Sequence, residues 1–287
     1  MDRDRAERLY QGRPDGTLRA VHAMVDYAYL YLRLDVPAGP VDWSQRQYWF
    51  LLNTVPGATG TRAIPDVGMR TDTGANFLLQ FTGPEVARLA IAANYNPNQR
   101  TEAVPGESNI NRRRGFDATI ADAVPFEDIV IEANRPRFTR DGTLFPSVDF
   151  NRSRLHAGTA DRANPAFSDR ATWHFEPASG MLEVRIPWAL IYVTDPSSRR
   201  ALAGTDPEAV PLARETPGIS IAVLAVAAAG NAREVVESLP ARRNAGFETT
   251  PRVYAWTPWN SVDAKPYFKP SYYALASLFA ELQKRTP

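Results

Sequence analysis

Hydrophobic and polar residues alternate strictly from Tyr29 to Val36. Leu30, Leu32, Leu34 and Val36 fall on one side, and Tyr29, Tyr31, Arg33 and Asp35 on the other. Successive side chains of a strand point to opposite faces, so this pattern predicts a strand with one buried face. A strand over 17–26 precedes it across the short turn 26–28, making a hairpin. Comparable stretches predict strands over 48–54, 76–81, 87–95, 126–134, 172–175, 181–186 and 219–228. Helical periodicity is confined to the end of the chain. Pro270-Ser271 gives a start signal, and Tyr272, Leu275, Phe279 and Leu282 recur at near-helical spacing up to Arg285. Loops rich in Gly, Pro, Asn and Asp fill 55–75, 96–118, 135–170 and 196–217. The pattern predicts an all-β fold: a single antiparallel β-sandwich of about nine strands, jelly-roll or immunoglobulin-like, with a C-terminal α-helix packed on it. A charged lead-in over 1–16 is expected, then one domain over 17–287 that includes the helix 271–285.

Composition strengthens this picture. The chain has 24 prolines in 287 residues, spread along its whole length, which suits short strands joined by turns and disfavours a helical bundle. It also narrows the chemistry. Basic and acidic residues number 33 and 32, so no basic field exists to bind nucleic acid generically. Cysteine is absent, which excludes disulfides, cysteine nucleophiles and thiolate metal sites. Three histidines (His22, His156 and His174) are too few and too dispersed for a local multi-histidine centre. No run of 18 apolar residues suggests a membrane span. The charged start, Met1 to Arg8, leads into no signal-peptide h-region. The expected setting, extracellular or periplasmic, therefore implies a longer or processed chain.

Motifs for catalysis are missing: no GxSxG elbow, no Walker loop, and no GxGxxG after a strand. A carboxylate pair for glycoside hydrolysis could be sought in Glu127, Asp128 and Glu132, but Glu127 and Asp128 would point to opposite faces of one strand. No catalytic residue is assigned. The aromatic residues say more. Sugar rings present apolar faces to aromatic side chains and hydroxyls to polar groups in the ring plane. Tyr31 and Arg33 lie opposite the leucine face, and Trp43 sits in a polar loop, so these three form a candidate platform. Trp188 and Trp256 read as core. Asn96 and Arg113, at the two ends of the 94–114 loop, form a second candidate rim. Asp66, Asp72 and Asn76 are oxygen donors that could hold a structural calcium.

The segment Asp26-Tyr-Ala-Tyr-Leu-Tyr-Leu-Arg-Leu-Asp-Val36 resembles the opening of family 9 carbohydrate-binding modules and the related DOMON domains. So does Gly180-Met-Leu-Glu-Val-Arg-Ile-Pro-Trp188, with Ala189-Leu-Ile191 and the turn Asp195-Pro-Ser-Ser198 after it. Tyr254-Ala-Trp-Thr-Pro-Trp-Asn260 and Lys269-Pro-Ser-Tyr-Tyr273 are similar to C-terminal regions of bacterial proteins that carry such a domain. This resemblance implies a non-catalytic module that binds a glycan or polysaccharide beside a carbohydrate-active domain or protein, with no cofactor. Two alternatives accompany it. Some DOMON domains hold haem between a methionine and a histidine or lysine, for which Met24, Met69, His156 and His174 are the candidates. An adhesive or structural module would have no small ligand.

Overall fold

The computed structural model describes residues 5–98, 118–134, 136–165, 167–206, 210–229, 232–260 and 268–285. The chain divides into two compact units, Met1–Thr257 and Pro258–Pro287. The first is all-β, as the alternation predicts.

One sheet has five antiparallel strands in the order Glu7–Gln11, Ala20–Val25, Tyr29–Asp35, Met181–Pro187 and Trp173–Glu176. Register explains its inner face. Val21, Leu34 and Leu182 form one cross-strand row, and Ala23, Leu32, Val184 and Trp173 form the next. All seven are buried. Full burial of a large aliphatic or aromatic side chain stabilises by about 1.5–3 kcal/mol, so these rows dominate the sheet's energetics. Gly180 closes the turn between the last two strands. Its φ of +67° suits glycine, and a Cβ there would lie 2.3 Å from the Val36 carbonyl oxygen.

The second sheet runs Arg154–Leu155, Val86–Ala92, Phe77–Gly83, Arg46–Asn53, Ile219–Ala229 and Ala232–Leu239. Phe126–Asp128 and Arg252–Tyr254 are added at its sides. Phe50, Leu79 and Phe81 face the first sheet, and the Phe81 and Trp173 rings meet at 5.1 Å across the sandwich. Polar bonds also clamp the sheets together. The Tyr10 hydroxyl donates to the Ile221 carbonyl at 2.7 Å, and the Arg252 guanidinium donates to the Leu9 carbonyl at 2.7 Å.

Several expectations need correcting. Glu7–Gln11 lies in the expected lead-in yet forms an edge strand, because Leu9 and Tyr10 bury into the sandwich. The 55–75 loop contains a hairpin, Thr61–Ile64 with Met69–Ala75, which covers the outer face of the second sheet. The 135–170 and 196–217 loops also hold short strands, among them Val148–Asn151 and Arg200–Thr205. Ala232–Leu239 and Arg252–Tyr254 are further strands that the pattern does not reveal. Trp188 and Trp256 are buried as expected, their rings 5.0 Å apart, with both indole N–H groups bonded to main-chain carbonyls.

In the second unit, Pro270–Arg285 is an α-helix. Its expected apolar stripe is present, but Tyr272, Leu275, Phe279 and Leu282 are exposed rather than buried.

Candidate functional site

The outer face of the first sheet is open and polar. Pairing fixes what stands on it. Arg8, His22, Arg33, Glu183 and His174 form one row across all five strands. Met24, Tyr31 and Arg185 form the neighbouring row. Arg33 makes a fork to Asp35, with Nε–Oδ1 2.6 Å and Nη2–Oδ2 2.8 Å. This hydrogen-bonded carboxylate raises the guanidinium pKa further. His22 Nδ1 lies 3.7 Å from Asp35 Oδ2. Burial lowers the His22 pKa and outweighs the pull of Asp35, with the positive charges of Arg33 and Arg8 acting in the same direction as burial.

Tyr31 is half-buried and donates its hydroxyl to Asp26 Oδ2 at 2.8 Å. Burial and this bond push its pKa up to about 12, so it stays a neutral phenol at physiological pH. Beside it the Arg185 guanidinium stands 5.2 Å from the centre of the Tyr29 ring.

A cleft of about 320 Å³ opens where this face meets the 157–172 segment. Its lining includes Tyr31, His174, Glu183 and Arg185 from the sheet, with Thr159 and Asp161 from the segment. Hydroxyl, carboxylate, imidazole and guanidinium groups therefore surround one small space beside an aromatic ring. Such a site can hydrogen-bond a polyhydroxylated ligand.

The residues singled out from the sequence are dispersed. Tyr31 lines the cleft, and Arg33 stands next to Glu183 in the adjacent row. Trp43 packs edge-on against Tyr48 at 6.0 Å and Phe175 at 5.7 Å. Phe175 pairs in register with Leu182 on the inner face, so Trp43 belongs to the rim of the core and not to the Tyr31 face. Asn96 is buried, donating to Glu127 Oε1 and accepting from the Asn98 N–H. Arg113 lies outside the described residues. Asp66 sits at the turn of the covering hairpin and pairs with Arg233 at 3.5 Å, while Asp72 is exposed. Asn76 is buried and donates to Thr59 Oγ1 at 2.9 Å. The three calcium candidates thus sit in different surroundings, one in an ion pair, one exposed and one buried, and the described residues contain no group of three or more His, Asp or Glu able to hold a metal ion.

Of the haem candidates, His156 and His174 line a common pocket. Met69 belongs to the covering hairpin and is buried against the second sheet. Met24 and His174 stand on strands three spacings apart, about 14 Å. His156, exposed, lies beside the Trp173–Glu176 edge strand, with its carbonyl accepting from the Thr172 N–H at 2.8 Å.

Sequence reasoning missed Thr159 and Asp161, and did not see that Glu183 and Arg185 flank Tyr31. Alternation shows which side of its own strand a residue takes. It does not show that 29–35 pairs with 181–187 across a long stretch of chain.

Comparison with known protein families, with curated proteins and with solved structures finds no match to the chain.

Proposed function

We propose that this protein is a non-catalytic β-sandwich recognition module that binds a glycan in the cleft on the open face of its first sheet. One observation carries the reading: the 320 Å³ space where Tyr31 meets Thr159, Asp161, His174 and Glu183. The aromatic ring offers an apolar surface to a sugar, and the carboxylates and hydroxyl accept or exchange hydrogen bonds with its hydroxyls. In this reading the module works outside the cytoplasm, beside a carbohydrate-active domain or protein.

Glycan-array screening followed by isothermal titration tests it. Tyr31→Ala removes the ring and, by analogy with base–aromatic stacking, costs about 1–3 kcal/mol of affinity, a factor of about 5–150. Glu183→Gln weakens binding through a lost charge-assisted bond, by about 1.5–3 kcal/mol. Wild-type protein that binds no glycan on the array, or variants that bind an identified glycan as tightly as wild type, would overturn the proposal.

A further inference from the structure

Arg185 makes more contacts across this face than recognition of a ligand would need. Its Nε donates to the Ala171 carbonyl at 2.8 Å, its Nη2 to the Asp169 carbonyl at 3.3 Å, and its guanidinium stands over Tyr29. Its own main-chain N–H donates to the Thr172 carbonyl at 2.8 Å. All three carbonyls belong to the segment that walls the cleft.

That segment lacks a core of its own. Among its described residues from 157 to 172, Ala171 is the one that is buried. Hydrogen bonds shape it instead. At the base, the Thr172 N–H donates to the His156 carbonyl at 2.8 Å, and the Gly158 N–H to the Trp173 carbonyl at 3.0 Å. Further out, the Ser168 N–H donates to the Thr159 carbonyl at 3.0 Å. A segment with little buried apolar surface opens easily, so a side chain that ties it to a rigid strand has a large influence on its position. A planar guanidinium suits the task, because its fork reaches two carbonyls at once.

We infer that Arg185 is a positioning residue: it latches the 157–172 segment to the first sheet and so sets the width of the cleft between Tyr31 and Thr159–Asp161. As a cleft it rests on the glycan reading; as a latch it can be read without any ligand. Arg162 and Arg170 are exposed on the segment and supply trypsin sites.

The test compares wild type, Arg185→Lys and Arg185→Met in the full chain. Trypsin cleavage after Arg162 and Arg170 is followed by mass spectrometry under native conditions, with the melting midpoint recorded alongside. Losing a charge-assisted hydrogen bond shifts an opening equilibrium by about tenfold or more. Arg185→Met is therefore expected to be cut about tenfold faster than wild type at these two sites. Arg185→Lys, which keeps the charge but not the fork, falls between them. Affinity for a glycan that binds wild type should decline in the same order. Equal cleavage rates in all three proteins overturn the latch. If Arg185→Met fails to fold, Arg185→Lys against wild type decides. Wild type that binds no glycan sinks the glycan reading alone, and the cleavage rates still decide the latch.

Discussion

The face of the first sheet turned away from the sandwich core carries Arg8, His22, Arg33, Glu183 and His174. The corresponding face of the second sheet carries Trp49, Leu51, Leu78, Leu224 and Val226. The two sheets share one inter-sheet core, yet their outer faces have opposite fates. One stays open, ties Arg33 to Asp35 and borders a cleft. The other is sealed by the Thr61–Ile64 and Met69–Ala75 hairpin, whose Ile64 and Met69 are buried against it. Strict alternation leaves a strand with one wet face, whereas a nearly continuous apolar run needs cover on both. The difference is written in the strands themselves: Tyr29–Asp35 alternates, while Arg46–Asn53 and Ile219–Ala229 do not.

The largest expected effect breaks the comparison at the sealed face. Leu224 is fully buried there. Leu224→Ala should cost about 2–5 kcal/mol through lost transfer free energy and the cavity left behind. A surface leucine would cost within about 0.5 kcal/mol. Denaturant unfolding separates these outcomes, and a shift at the surface value would mean that the hairpin does not seal the face.

That sealed face also shows where sequence reading stops. Leu30, Leu32, Leu34 and Val184 are legible as core because each has a polar neighbour on either side. The run 219–228 is legible as a strand, but nothing within it says what covers its outer side. The covering hairpin contributes few apolar residues among Gly, Pro and Asp, so it reads as a loop. Ala232–Leu239 escapes notice for a related reason: with Arg233, Glu234 and Val236 exposed on an edge, its pattern is mostly polar. Glu7–Gln11 has only Leu9 and Tyr10 to announce it. At the candidate site, Tyr31 is legible because its own strand alternates. The cleft is not, because it needs a long-range pairing and the path of the 157–172 segment. Trp43 misleads: its polar neighbours suggest an open ring, but the indole folds back onto Tyr48 and Phe175.

A smaller effect sharpens the contrast at the open face. His22 stands beside Asp35, Arg33 and Arg8, and burial lowers its pKa below the ordinary value of about 6.5. Between the folded value and about 6.5 the unfolded chain binds a proton that the folded chain does not. Stability from this group is therefore present above about pH 6.5 and is lost as pH falls through that window. Wild type should lose more thermal stability between pH 7.5 and 5 than His22→Gln, whose side chain cannot titrate. The difference between the two proteins removes the background titration of the carboxylates. Equal losses would show that His22 is as well solvated when folded as when unfolded.

The smallest effect concerns Arg8, which begins the same row at the outer edge. It is exposed and donates to Gln11 Oε1 at 2.9 Å, three residues along its own strand. An exposed bond of this kind adds little, so Arg8→Ala should leave stability within about 0.5 kcal/mol of wild type. Its charge still acts on His22, as the last and weakest of the influences that lower the imidazole pKa. Removing that charge should raise the His22 pKa by a small amount without altering the fold, and added salt should shrink the difference further. An NMR titration of the His22 ring protons in both proteins measures it. An unchanged value would mean that solvent screens Arg8 from the row, and that the open face is set by the Arg33–Asp35 pair and burial alone.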